Sequence, residues 1–115
     1  MAVTIAIHKE NNMELVNQER FEKLLSENKY VVADFYADWC GPCKMLAPIL
    51  EEVSGEFPQI AFCKVNVDES EKLAMKYKID YIPNVNIFVD GVHKDRFVGL
   101  KTKQELVDLF NHLIG

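Results

Sequence analysis

Cysteine is scarce in this sequence. Its 115 residues carry three thiols, an odd number and too few for the disulfide framework of a small secreted domain, so a reducing compartment is the better expectation. There is no surplus of positive charge either. Thirteen Lys and Arg are scattered among eighteen Asp and Glu for a net charge of −5, and a nucleic-acid partner would need basic residues clustered on one face. No apolar run approaches the roughly 20 residues that cross a bilayer. Met1 to Glu10 has no basic leader, no long apolar core and no cleavage pattern, which gives the expectation of a soluble, cytoplasmic protein with no membrane partner. With five Gly and four Pro there is no linker-like tract, no low-complexity segment and no internal repeat. What remains is 49% hydrophobic, enough for one domain over residues 1–115 to build a core without disulfide support.

The pattern along the chain alternates strand and helix. Val3–Ile7 reads as a strand and Met13–Val16 as a weaker one, with Lys9–Asn12 as the turn between them; which of the two enters the main sheet is open. Residues 1–12 are an N-terminal extension or an edge strand. Asn17 can cap a helix over Gln18–Asn28, in which Phe21, Leu24 and Leu25 share a face. Tyr30–Tyr36 is apolar on both alternating faces, the mark of a central strand covered by helices on both sides, with Asp34 as its exception. Met45, Leu46, Ile49, Leu50 and Val53 recur at helical spacing up to Gly55, and Pro48 should kink that helix without ending it. Ile60–Val67 is the next strand, and Asp68-Glu69-Ser70 opens a short helix through Tyr77. Asn84–Val89, Asp90-Gly91 and Val92–Val98 then read as an antiparallel hairpin with a type I′ turn. Thr102 and Glu105 form a capping box before Leu106, Leu109, Phe110 and Leu113. The expected architecture is α/β, a mixed sheet with a C-terminal antiparallel hairpin and helices on both faces.

The chemistry concentrates in Trp39-Cys40-Gly41-Pro42-Cys43-Lys44, between the apolar strand and the following helix. Two thiols three positions apart can reach each other. Cys40 at the start of a helix sits where unpaired N–H groups and the helix dipole favour a thiolate, which makes it the expected nucleophile. Pro42 suits a first helical turn and holds Cys43 near as the resolving thiol. A zinc half-site is the competing reading, but His8, His93 and His112 have no paired spacing near the thiols, so no metal is expected. Two buried structural cysteines are the other alternative, and Gly-Pro between them marks a turn more than a packed core.

Other residues carry weaker signals. Asp34, in a strand with almost no other polar side chain, is either a perturbed acid able to take a proton or a carboxylate satisfied by backbone or water; its place six residues before Cys40 favours the first. Lys64 in the next strand either pairs with it or snorkels to the surface. Ile82-Pro83 before the hairpin marks an edge, a bulge, a cis peptide or an ordinary trans turn. Cys63 reads mainly as a packing residue, with regulatory oxidation as the alternative.

Together these motifs resemble the thioredoxin family from Asn17 to Gly115. The resemblance is carried by Asp34-Phe35-Tyr36-Ala37-Asp38-Trp39-Cys40-Gly41-Pro42-Cys43-Lys44, Pro48, Lys64-Val65-Asn66-Val67-Asp68, Ile82-Pro83, the Asp90-Gly91 turn and Val98-Gly99. It implies the thioredoxin fold, a dithiol disulfide reductase, a cis peptide before Pro83, and a proton-handling Asp34 near Lys64. It also implies a substrate groove of Trp39, Gly41, Pro42, Ile82, Pro83, Val98 and Gly99. The implied partners of this monomer are disulfide-bearing clients and a separate thioredoxin reductase, which would supply electrons to a chain that binds no cofactor and has no Gly-rich nucleotide loop. Gly-Pro between the thiols goes, by resemblance, with reductases; an isomerase, an oxidase, or a redox-independent binding module using the same groove are the alternatives. Tyr36 stands where the family often has Trp, Asn84 where Thr is usual after the proline, and Leu100 where a smaller residue is common. The first bears on packing behind the site, the other two on substrate preference.

Overall fold

The computed structural model describes residues 13–115. Along them run β1 (Glu14–Leu15), α1 (Gln18–Glu27), β2 (Tyr30–Tyr36), α2 (Gly41–Ser54), β3 (Ile60–Asn66), α3 (Glu71–Lys76), β4 (Asn84–Val89), β5 (Val92–Val98) and α4 (Lys103–Ile114). The sheet order is β1-β3-β2-β4-β5, with β1, β3 and β2 parallel and β4 and β5 antiparallel to their neighbours. Of the two expected N-terminal strands, the weaker one enters the sheet, as a two-residue edge strand beside β3. Val3–Ile7, its following turn and His8 lie outside the described residues.

Period-2 alternation in the central strands sorts the core into two halves. Val32 of β2, Phe62 of β3 and Val85 and Ile87 of β4 meet Leu46, Leu50 and Val53 of α2 and Leu106 and Phe110 of α4. Phe110 sets its ring edge-on to Phe57 and Phe62, at centroid distances of 5.6 and 5.3 Å. Val31, Ala33 and Phe35 face the other way, joining Cys63, Val65 and Phe88 against Phe21 and Leu24 of α1 and Leu73 of α3. β2 is buried on both faces because helices cover both, as its unbroken apolar run requires.

Local chemistry sets the element ends. Asn17 Oδ1 accepts the Arg20 N–H at 2.9 Å, and Thr102 and Glu105 make both halves of the capping box. Asp90 and Gly91 both have positive φ, 52° and 79°, as a type I′ turn demands. α2 continues across Pro48, whose missing N–H leaves the Lys44 carbonyl without its helical donor. Gly55 closes α2 where expected, in right-handed conformation (φ −66°) with tightened i to i−3 bonds. α3 runs from Glu71 with Ser70, the last residue of the expected opening triplet, as its N-cap and Tyr77 as its C-cap, while Asn66 Oδ1 takes the N–H groups of Asp68 (2.9 Å) and Glu69 (3.2 Å) and holds the turn ahead of it.

Candidate active site

The carboxyl ends of the parallel strands β2 and β3 lie side by side, and β4, antiparallel, begins beside them, with Phe35 opposite Asn84. The segments following β2 and β3 and the one preceding β4 therefore converge, the usual place for a site in an open α/β sheet. They deliver Trp39-Cys40, Asp68 and Ile82-Pro83.

Cys40 is the N-cap of α2, and Cys43 lies in the first turn. The two are joined as a disulfide with a Cα–Cα distance of 5.3 Å. The Cys43 backbone N–H points at Cys40 Sγ at 3.2 Å. In the reduced pair, that donor and the positive end of the helix dipole favour negative charge on Cys40. Both cysteines are nearly covered, at 5% and 3% exposure, so position at the helix start, not accessibility, separates their roles. Ala37 is buried against them, with Tyr36, Val67 and Ile82 half-buried around the cluster.

The Ile82-Pro83 peptide is cis. It lies against the thiols, with the Ile82 carbonyl oxygen 3.8 Å from Cys40 Sγ. The Gly99 N–H donates to the Pro83 carbonyl at 2.9 Å, and Gly99 does so at φ +90°, a conformation that favours glycine. Val98 stands opposite Asn84 and is exposed. Gly41 and Pro42 are exposed beside the disulfide, and Trp39 is 70% exposed. Ile82, Pro83, Val98 and Gly99 are thus linked to one another and, through the Ile82 carbonyl, to Cys40, while Trp39, Gly41 and Pro42 flank the disulfide along the chain.

Trp39 is held by Asp68, which the sequence marked as part of a helix start and of the family motif after β3 but not as a site residue. The Trp39 indole N–H donates to Asp68 Oδ2 at 2.8 Å. A signal was available: Asp68 follows β3 as Trp39 follows β2, and adjacent parallel strands bring such positions together.

Asp34 is 3% exposed, and its Oδ1 has no hydrogen-bond partner. By alternation it shares its sheet face with Val32, the face that α2 covers. Burial pushes its carboxyl up to about 7, with the positive charge of Lys64 pulling the other way. Lys64 is its register partner on β3. Among the described residues the ion pairs lie elsewhere, at Arg20 with Glu14 and Glu27 and at Lys103 with Glu52 and Glu56; none joins Lys64 to Asp34. The Lys64 ammonium instead sits 5.8 Å from the Tyr36 ring centroid, half-buried, so it acts on Asp34 through space. Cys63 is fully buried on the opposite face, its thiol pushed up to about 12 by burial, which fits packing and not oxidation.

Among the described residues no cluster of three His, Cys, Asp or Glu side chains converges as metal ligands would, and no helix is long and apolar enough to cross a membrane.

A disulfide closing over two intervening residues at the start of α2, the helix that covers the sheet face of a buried carboxyl with an unpaired oxygen, is placed for thiol exchange more than for bracing a fold. The class it defines is that of the thiol–disulfide oxidoreductases. A family model described as thioredoxin matches residues 12–112. The chain is 45% identical over 95 residues to a thioredoxin of Mycoplasmoides gallisepticum, covering 83% of this chain and 95% of that protein. It is 40% identical over 99 residues to a thioredoxin of Chlamydia pneumoniae, covering 86% and 96%. The X-ray structure of Fasciola hepatica thioredoxin superposes with a TM-score of 0.81 at 37% identity, covering 87% of this chain and 98% of that one. The chain belongs to the thioredoxin family, has its fold, and is a dithiol disulfide reductase.

Proposed function

We propose that Cys40 attacks the disulfide of a client protein, that Cys43 resolves the resulting mixed disulfide, and that Asp34 takes the proton of Cys43. The observation that carries this division is the Cys43 N–H aimed at Cys40 Sγ at the N-cap of α2. Cys40 thiolate attacks one client sulfur; the client S–S bond breaks, a Cys40–client disulfide forms, and the other client sulfur leaves as a thiolate that takes a proton from water. Asp34 then accepts the Cys43 proton, and the Cys43 thiolate attacks Cys40 Sγ. The mixed disulfide breaks, the Cys40–Cys43 bond forms, and the second client sulfur leaves as a thiolate. The client gains two electrons and the chain loses two. A carboxyl titrating near 7 is suited to that proton transfer at neutral pH, since it is part ionised before the step and binds the proton firmly after it. Lys64 keeps the acid from rising further.

In this reading Trp39, Gly41, Pro42, Ile82, Pro83, Val98 and Gly99 form the rim on which the client segment lies. A separate thioredoxin reductase returns the electrons, no cofactor is bound, and a single chain in the cytoplasm supplies every group the cycle needs. Family membership supports these points.

Reduction of insulin by the chain with dithiothreitol is the direct assay. Reduction above the dithiothreitol background is expected, and none would sink the reading. The potential of the Cys40–Cys43 couple should fall near −270 mV, the value typical of thioredoxins in general. One near −120 mV, typical of a strong oxidant of this chemistry, would turn the reading to an oxidase.

A further inference from the structure

The loop that delivers Pro83 is tied to the hairpin behind it by a chain of buried amides. Asn84 Nδ2 donates to the Tyr81 carbonyl at 3.2 Å. Asn86 Nδ2 donates to Asn84 Oδ1 at 3.0 Å and to the Asn84 carbonyl at 3.3 Å. His93 Nε2 lies 2.8 Å from Asn86 Oδ1. Chemistry fixes the direction of each bond. A backbone carbonyl only accepts, so Tyr81 turns the amine of Asn84 towards itself, and the Asn84 carbonyl does the same to Asn86. Asn86 Oδ1 is then the acceptor facing the ring, and His93 Nε2 carries a proton.

Asparagine is a poor strand former, and two of them at alternate positions on one face of a buried strand gain nothing by packing. Both are buried, and every polar atom of their side chains is paired. The far end of the chain is equally well held. His93 pairs with Phe88 across the hairpin, and its ring leans on Phe88 and Tyr77 at centroid distances of 5.2 and 5.8 Å. An irregularity at Ile87/Phe88 sets Arg96 opposite Asn86, and Arg96 Nη2 donates to the Tyr77 carbonyl at 2.7 Å. The segment from Tyr77 to Pro83 is therefore anchored by side chains at two carbonyls, those of Tyr77 and Tyr81, and by the Gly99 N–H at that of Pro83. The charged groups facing His93 are Arg96 and Asp95 of β5, and burial followed by Arg96 lowers the imidazole's affinity for a second proton.

We propose that Asn84, Asn86 and His93 are positioning residues for client docking, a relay that sets where Ile82 and Pro83 stand relative to Cys40. The proposal rests on the docking role given above to Ile82 and Pro83. A polypeptide lying along that segment feels the relay. A small disulfide that meets only the thiols does not.

The test compares the unaltered protein with His93→Phe, which keeps a ring against Phe88 and Tyr77 but loses the donor, and His93→Gln, which restores an N–H without the ring. Each is reduced beforehand and reacted with insulin and with the small disulfide 5,5′-dithiobis(2-nitrobenzoate). Loss of one hydrogen bond should slow the second-order reaction of His93→Phe with insulin by about three- to tenfold. The small disulfide should react at an unchanged rate, and His93→Gln should recover most of the insulin rate. Equal slowing of both substrates, slowing of neither, or no recovery with Gln would overturn the relay while leaving the reductase reading standing. An unaltered protein that reduces neither substrate would overturn both. In the unaltered protein, the side-chain amide protons of Asn84 and Asn86 should also exchange with solvent far more slowly than those of exposed Asn111, and equal exchange would contradict the proposal without any variant.

Discussion

Asp34 on β2 and Asn86 on the adjacent β4 are both buried, one under α2 and the other on the opposite face of the sheet, yet they are treated differently. Asp34 Oδ1 meets no donor and its proton affinity climbs to about 7, whereas Asn86 and its neighbour Asn84 have every amide atom paired. The unpaired acid costs stability and gains a proton that can move at neutral pH. The paired amides hold a backbone segment in place. Burial is common to both, so hydrogen-bond partners decide which buried polar group reacts and which one braces.

Substitutions at these positions should bring out the contrast, most strongly at Asn86. Asn86→Ala strips a partner from Asn84 and from His93, and at about 1–3 kcal/mol per orphaned group should destabilise the fold by about 2–6 kcal/mol. Urea unfolding at pH 7 measures it, and a loss below about 0.5 kcal/mol would erase the contrast. Asp34→Asn removes the proton acceptor and should slow release of the trapped client, the second step, by about tenfold to a hundredfold near pH 7, leaving the first attack little changed. Single-turnover kinetics separate the two steps.

The same Asp34→Asn variant should move stability in the opposite direction from Asn86→Ala. Asp34 binds its proton more tightly folded than unfolded, so its presence makes the fold less stable as pH rises from about 4 to about 7, with a constant deficit above. At roughly 1.4 kcal/mol per pKa unit, less the cost of burying an amide, Asp34→Asn should be about 2 kcal/mol more stable than the parent at pH 8 and show no such advantage at pH 4. A gain independent of pH would point to packing instead. The smallest effect belongs to Asp68→Asn. Its bond to Trp39 is charge-assisted but exposed, so stability should fall by less than about 1 kcal/mol. Emission from Trp39, the single tryptophan, should change, and no change would mean that Asp68 does not hold the ring in solution.

Much of this was legible in the sequence where one residue type carries one local signal. The cysteines at the helix start, Asp34 as the outlier in an apolar strand, Asp90-Gly91 in the turn and the Thr102–Glu105 box all did what their chemistry dictates. The α/β order and the helices on both faces followed from the alternating periods. What was hidden depends on register and distance. Adjacency of β2 and β3 did bring Lys64 opposite Asp34, but its flexible side chain settles over Tyr36 and forms no ion pair with Asp34. The turn ahead of α3 is held by the Asn66 side chain, which takes the N–H groups of Asp68 and Glu69, a bond that no local residue signal announces. The irregularity that turns Arg96 onto the face of Asn86 has no residue signature, and one position of slip exchanges the two faces of a strand.

The central claim, that Cys40 attacks and Cys43 resolves, is tested most directly by trapping. Cys43→Ser incubated with a disulfide client should accumulate a mixed disulfide that peptide mass mapping assigns to Cys40, whereas Cys40→Ser should trap none. A client trapped on Cys43 in the Cys40→Ser variant, with none on Cys40 in its counterpart, would reverse the roles and contradict the account.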